Sequence, residues 1–285
     1  MFSDYLTEKE GTYVAQILSE LKDVEWASEL LRRIDERGGI VEINKPLLFE
    51  ARFAYELWKK NKNIQYEYSA GVGDSTIEFK ISDSMEWLIE LVSICESEGL
   101  KLASNTNGII TSTFLSSDNL VKHHPDEDVP IEQQKQTEEA EMITAQNKIG
   151  EKVCSKGKPT KFPKPSDAIH GILVDMRGYL GFGGDAIDYR QIAYGAQGVP
   201  NNVKELTKFW DGKPIRGLFE RVESHPAKAA SLLQERIHLL GFIAEKDYRE
   251  NEIMENSYWL PNPYLVSTEL GEILKTTSPL WRIYA

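Results

Sequence analysis

Three glutamates stand where a solvated carboxylate is out of place. Glu90 lies in the run "EWLIELVSI", among Trp87, Leu88, Ile89, Leu91, Val92 and Ile94. Glu78 lies in "STIEFKIS" and Glu50 in "LLFEARFAYEL". A carboxylate buried without a partner costs several kcal/mol, so it binds something or takes up a proton. Acids brought to one region repel each other, and a hard divalent cation such as magnesium or manganese relieves that repulsion through oxygen ligands. Such an ion polarises a phosphoryl oxygen and lowers the pKa of a bound water. In "ITAQNKIGEK", Lys148 and Lys152 lie one helical turn apart beside Gln146. A lysine so placed can stabilise charge that develops on a phosphate.

The elements that must position these groups follow from periodicity. Leu88, Glu90 and Val92 share one strand face, and Trp87, Ile89 and Leu91 the other. Both faces are apolar, which predicts a central strand covered on both sides. In the preceding strand Ile77, Phe79 and Ile81 alternate onto one face, leaving Glu78 and Lys80 on the other. Glu50 shares a helical face with Phe53, Ala54 and Leu57. Its plain alternative is a partly wet carboxylate in the helix's first turn. Gln146 shares a face with Met142, Ile143, Ile149 and Val153, and its plain alternative is a hydrogen-bonded core amide.

Around these elements the chain reads as helices over about 5–22 and 24–36, stopped by the glycines of "RRIDERGG". A helix follows from Pro46 to Lys60, with Asn44 as its cap. Three short strands at hairpin spacing come next, then a helix ending near Ser155, a proline-interrupted loop, and the strand "HGILVDMRGY". From residue 46 the order is α, β, β, β, α, β. "GFGGDAIDYRQIAYGA" reads as turn-rich, and "PAKAASLLQERIHLL" as a helix. The expected organisation is an N-terminal helical segment over 1–38, a core over 39–180 with an irregular insertion at about 99–137, and an α/β extension over 181–285 packed on that core.

A chain of 285 residues with 41% apolar residues can bury a sizeable core. The net charge of −12 argues against nucleic-acid binding through a globally basic field. The charge is uneven, however. "QNKIGEKVCSKGKPTKFPK" holds Lys148, Lys152, Lys156, Lys158, Lys161 and Lys164 against Glu151 alone. That stretch is either a solvated helix end or a local surface for anions. No apolar run approaches the roughly 18 residues of a membrane span, and the opening residues lack a signal-peptide layout. Cys95 and Cys154 form no disulfide framework or zinc motif, so a cytoplasmic setting is expected.

Over about residues 40–178 the pattern resembles the PD-(D/E)XK superfamily of restriction-endonuclease-like phosphodiesterases. The α-β-β-β-α-β order is similar to that core, a mixed sheet flanked by helices. "LLFEARFAYEL" resembles its first helix, "STIEFKI" its second strand with Glu78 in place of the usual aspartate, and "EWLIELVS" its third strand with Glu90 as the acid of the E-x-K element. The resemblance implies a magnesium- or manganese-dependent nuclease acting on DNA or RNA. Glu78 and Glu90 hold the metal, and Glu50 completes its shell or holds a ligating water. Gln146 orients the site, and Lys148 or Lys152 supplies charge. Lys80, Lys156, Lys158 and Lys161 grip the substrate. Val92 stands where the lysine of E-x-K belongs, so Lys80, Lys148 and Lys152 are the candidates to replace it. A second register pairs Asp74 with Glu78 and Lys80, but the two acids are too close for the strand and turn that normally separate them. The alternative is an inactive nuclease fold serving as a binding or assembly module, in a homo-oligomer or a larger protein assembly.

Other motifs are weaker. "AGVGDST" lacks a phosphate-loop lysine and precedes a strand, so it reads as a hairpin turn. "RGYLGFGG" departs from the dinucleotide spacing and reads as a turn. His123 and His124 read as part of a polar loop, and His238 as a satisfied core or helix-end histidine.

Overall fold

The computed structural model describes residues 6–96, 138–210, 212–223, 225, 227, 229–277 and 282–283. The expected insertion at 99–137, with His123 and His124, lies outside the described residues. The helices are α1 (Glu8–Leu21), α2 (Ser28–Glu36), α3 (Lys45–Lys59), α4 (Glu138–Glu151), α5 (Ala186–Tyr194), α6 (Ala230–Arg236), α7 (Glu252–Asn256) and α8 (Thr268–Thr277). The strands of the main sheet are β1 (Asn63–Ser69), β2 (Thr76–Ser82), β3 (Glu86–Ser93), β4 (Ala168–Asp175), β5 (Leu239–Ile243), β6 (Tyr258–Pro261) and β7 (Arg282–Ile283). They lie side by side in chain order. β1, β2 and β3 form an antiparallel meander, while β3, β4 and β5 run parallel. β6 is antiparallel to β5, and β7 parallel to β6. The fold is thus mixed α/β, with a mixed central sheet flanked by helices, and among the described residues the elements of the main sheet and its helices run α-β-β-β-α-β from α3 to β4.

The sheet separates two apolar cores. Leu88, Val92, Ile172, Val174, Leu240 and Phe242 face α4, α5 and α6, where Met142, Ile149, Ile192 and Leu233 meet them. Trp87, Ile89, Leu91, Leu173 and Leu239 face α3, which offers Phe49, Phe53, Ala54 and Leu57. β3 is therefore central and covered on both faces, as its sequence requires. The back of α3 buries Leu47, Leu48, Ala51 and Tyr55 against Val14, Ile17, Leu21, Leu30 and Ile34 of α1 and α2. The N-terminal segment consequently shares a core with α3, and the C-terminal segment supplies three strands of the same sheet. Trp259 of β6 is fully buried, its ring against Gly171 of β4 and Gly241 of β5. A Cβ at Gly241 would come within 2.7 Å of its ring, and one at Gly171 within 3.2 Å, so only glycine leaves room for the indole.

Four charged elements meet behind α3. Arg52, on α3, donates to both oxygens of Glu245 (2.8–3.1 Å) and to Glu10 of α1 (3.0 Å). Arg177, just past β4, donates to the same Glu10 oxygen at 2.6 Å and grips Asp175 with its guanidinium at 2.5 and 2.8 Å. Burial alone would raise the Glu10 pKa, but Arg52, Arg177 and Lys45 together hold it below its ordinary value.

Two sequence readings are corrected here. The stretch read as turn-rich contains α5, nucleated by a capping box: Asp185 accepts from the Ile187 and Asp188 amides, and Asp188 accepts from Asp185. The helix read over "PAKAASLLQERIHLL" ends at Arg236, because Leu239–Ile243 leaves it to become β5. His238 is a core histidine as expected. Its Nδ1 accepts the His170 amide at 3.0 Å, and burial lowers both imidazoles to a pKa of about 4, which keeps them neutral.

Candidate functional site

The strands β2 and β3 part at Glu78 and Glu90. Their pairing runs from Ser82↔Glu86 up to Phe79↔Ile89 and stops there. On the other side, β1 pairs with β2 at Tyr66↔Phe79 and Tyr68↔Ile77 but not at Glu67, whose φ of 52° is left-handed. The kink alters the alternation of β2. Phe79 and Ile81 face α3, whereas Ile77 turns into the opposite core. The expectation of a single apolar face through Ile77, Phe79 and Ile81 is thereby corrected. Its physical reason is that the pairing of β2 lapses at Glu78 on both sides, opposite the left-handed Glu67 of β1, so the two-residue period does not carry through from Phe79 to Ile77.

Side chains replace the missing ladder bonds. The Glu78 amide donates to Glu90 Oε1 at 2.9 Å, and the Leu91 amide donates to Glu78 Oε2 at 2.5 Å. One oxygen of each carboxylate stays free of the backbone, and both turn to the same ammonium. Lys152 Nζ lies 2.8 Å from Glu78 Oε1 and 3.1 Å from Glu90 Oε2. Lys161 Nζ reaches Glu90 Oε2 at 2.6 Å. Glu90, at 0% exposure, therefore faces two lysines. Burial, and then the charge of Glu78, still push its carboxyl up to about 7. For Lys152, burial disfavours the charge, but Glu78 and Glu90 outweigh it and raise the pKa above the ordinary lysine value.

Both lysines come from one hairpin. The two-residue strands Cys154–Ser155 and Lys158–Pro159 pair antiparallel around Lys156 and Gly157, which have φ of 51° and 77°. Two positive φ angles in succession are the signature of a tight hairpin turn. The Thr160 amide bonds to the Val153 carbonyl at 3.0 Å, closing the base of the hairpin. Lys152 and Lys161 are its two feet. The sequence was expected to form a helix end and an open loop here, with Lys161 gripping substrate. The structure instead seats Lys161 on Glu90, and places Lys156 and Lys158 in solvent at the tip.

Glu50 is close but separate. It is buried and accepts from the Tyr66 hydroxyl at 2.6 Å, and Tyr66 in turn receives Arg33. Burial, then Glu78, raise the Glu50 carboxyl to about 8. Among the described residues no group of three or more His, Cys, Asp or Glu side chains is arranged to hold a metal ion. Glu50, expected to complete the metal's shell or hold a ligating water, is bonded to Tyr66 rather than turned to the ammonium between Glu78 and Glu90. Gln146 is also elsewhere: its amide donates to the carbonyls of Ile192 (3.2 Å) and Arg216 (2.7 Å), tying α4 to α5 as a core amide. Lys148 is exposed on α4. Lys80 pairs with Glu86 at 2.8 Å and lies over the Tyr68 ring. Of the three lysines offered as replacements at position 92, only Lys152 reaches the acids.

The raised pKa of Glu50 has a consequence for stability. Between about 4.5, the ordinary value, and about 8, the folded chain holds a proton that the unfolded chain has lost. The group's contribution is present below that window and is lost as pH rises through it. Glu50→Gln should match wild type in denaturant midpoint at pH 4 and exceed it at pH 9. A midpoint below wild type at pH 9 would mean that the charged form is the one the fold favours.

No family model matches the sequence, and neither the curated proteins nor the solved structures give a match.

Proposed function

We propose that this chain is a metal-dependent phosphodiesterase that cleaves nucleic acid, built on a restriction-endonuclease-like fold. One observation carries the reading. Glu78 Oε1 and Glu90 Oε2, from adjacent strands, converge on a single cation position beside a second lysine. The α-β-β-β-α-β order with a β3–β4 parallel pair supports the same reading.

Magnesium is commonly held by one or two carboxylates, with water and substrate phosphates completing its octahedron. Two convergent hard oxygens suit that donor set, and Glu78 and Glu90 are the residues that would hold it. Bound there, the ion would polarise the phosphoryl oxygen and acidify a water. Lys152 and Lys161 place positive charge beside the reacting phosphate, where a fixed donor is most effective. Glu50, whose carboxyl is pushed up to about 8 by burial and then by Glu78, is held by Tyr66. Lys156 and Lys158, exposed at the hairpin tip, meet the backbone of the nucleic acid. Recognition is thus local, in a chain whose net charge is −12.

The test is manganese-dependent cleavage of a mixed DNA and RNA panel. Wild type should cleave and Glu90→Gln should not. Manganese should also raise the melting temperature of wild type, because a ligand of the folded state alone stabilises it. That increment should shrink in Glu90→Gln. No cleavage, with equal increments in both proteins, would remove the metal site. The second reading, a non-catalytic binding or assembly module, is favoured by one observation: the Lys152 and Lys161 ammoniums already occupy the carboxylate oxygens a metal would take. It predicts retention of nucleic acid with no cleavage and no manganese-dependent shift.

A further inference from the structure

The hairpin that brings the two lysines is tied to the sheet by the turn between β1 and β2. Ser75, in "AGVGDST", lies at the junction. Its hydroxyl donates to the Val72 carbonyl at 2.8 Å, which uses its only proton. The lone pairs that remain point to the hairpin. The Lys161 amide donates to Ser75 Oγ at 2.9 Å, and the Thr160 hydroxyl lies 3.3 Å from it.

Lys161 needs such a hold. Its φ of 59° is left-handed, a conformation that disfavours a residue with a Cβ and persists only where the surroundings impose it. The surroundings do so on both sides. The Thr160 amide is fixed to Val153 at 3.0 Å, and the Phe162 carbonyl accepts from Arg236 at 2.6 Å, with the Phe162 ring fully buried. Between these anchors the Lys161 amide is bonded to Ser75, and the side chain is thrown across to Glu90 Oε2 at 2.6 Å.

We infer that Ser75 is a positioning residue for Lys161: its hydroxyl latches the foot of the hairpin to the β1–β2 turn and so fixes the Lys161 ammonium on Glu90. This assignment gives the glycine-rich turn a role in the site that its sequence did not suggest. Its importance for catalysis rests on the phosphodiesterase reading, but the latch itself does not.

The experiment therefore uses the full chain without metal or nucleic acid. Lysine acetylation with an amine-reactive ester is followed by mass spectrometry, with the exposed Lys148 as an internal standard. Lys161 should react slowly in wild type. In Ser75→Ala its rate relative to Lys148 should rise about fivefold, the factor that corresponds to one hydrogen bond of about 1 kcal/mol. Ser75→Thr, which keeps the hydroxyl, should restore the slow rate. An unchanged Lys161 rate in Ser75→Ala, or a fast one in Ser75→Thr, overturns the latch. Should Ser75→Ala fail to fold, deuterium exchange on wild type decides instead. A protected Lys161 amide supports the latch, and exchange at the rate of an unstructured peptide overturns it. Absence of cleavage leaves each of these results intact, so the latch and the proposed activity fail separately.

Discussion

Arg52→Ala should lose about 3–5 kcal/mol of stability, the usual result of removing one partner from a buried ion pair. Arg52 has 0% exposure and serves two acids on different elements, Glu245 through a forked pair of bonds and Glu10 through the remaining nitrogen. Without it, Glu245 is left buried, with only Arg177 still lowering a pKa that burial already raises. Arg52→Lys should recover little, because an ammonium cannot reproduce the planar fork or reach both acids. Domains of this kind are stable by only about 5–15 kcal/mol, so urea midpoints will show the effect plainly. A loss below about 1 kcal/mol, the range of a surface pair, would mean that these carboxylates are hydrated in the native state.

The second large effect is expected at Lys152. In the proposed enzyme, Lys152→Ala should reduce cleavage by about 10²- to 10³-fold, the cost of losing a donor that acts in the transition state. Lys148→Ala, on the solvent face of α4, should leave the rate nearly unchanged. The metal-free variant should also be less stable, since Glu78 and the buried Glu90 lose the ammonium between them. Manganese should then stabilise Lys152→Ala more than it stabilises wild type, because it no longer competes with a resident cation. Equal metal-free stability of variant and wild type would show that Lys152 is not the counter-charge of this pair. Wild-type cleavage by the variant would transfer the catalytic role to Lys161 alone.

How much of this could be read from residues alone depends on distance along the chain. The covered central strand was legible because Trp87, Ile89 and Leu91 oppose Leu88 and Val92, and both sets are apolar. Its burial made Glu90 anomalous and required a partner. The partner was only half legible. Lys152 follows an amphipathic helix whose inward face could be drawn, but Lys161 lies 71 residues from Glu90, beyond a hairpin with no strong turn dipeptide. Glu67 is an ordinary polar residue, so nothing announced the kink that redirects Ile77. The Asp185 capping box was a signal available in the sequence, yet the glycines before it concealed the helix it starts. Glu10 and Arg177 are separated by 167 residues, and only the assembled sheet brings them together.

The parting of β2 and β3 gives the site a property apart from its chemistry. Two backbone amides that would ordinarily answer to carbonyls, those of Glu78 and Leu91, answer to carboxylates. Each amide proton is hydrogen-bonded directly to an oxygen of the site. Protonation, displacement of a lysine, or arrival of an ion alters the acceptor, and with it the resonance of the proton held there. The sheet thus carries its own two-channel indicator, readable in the amide spectrum of the ¹⁵N-labelled protein without dye or substrate.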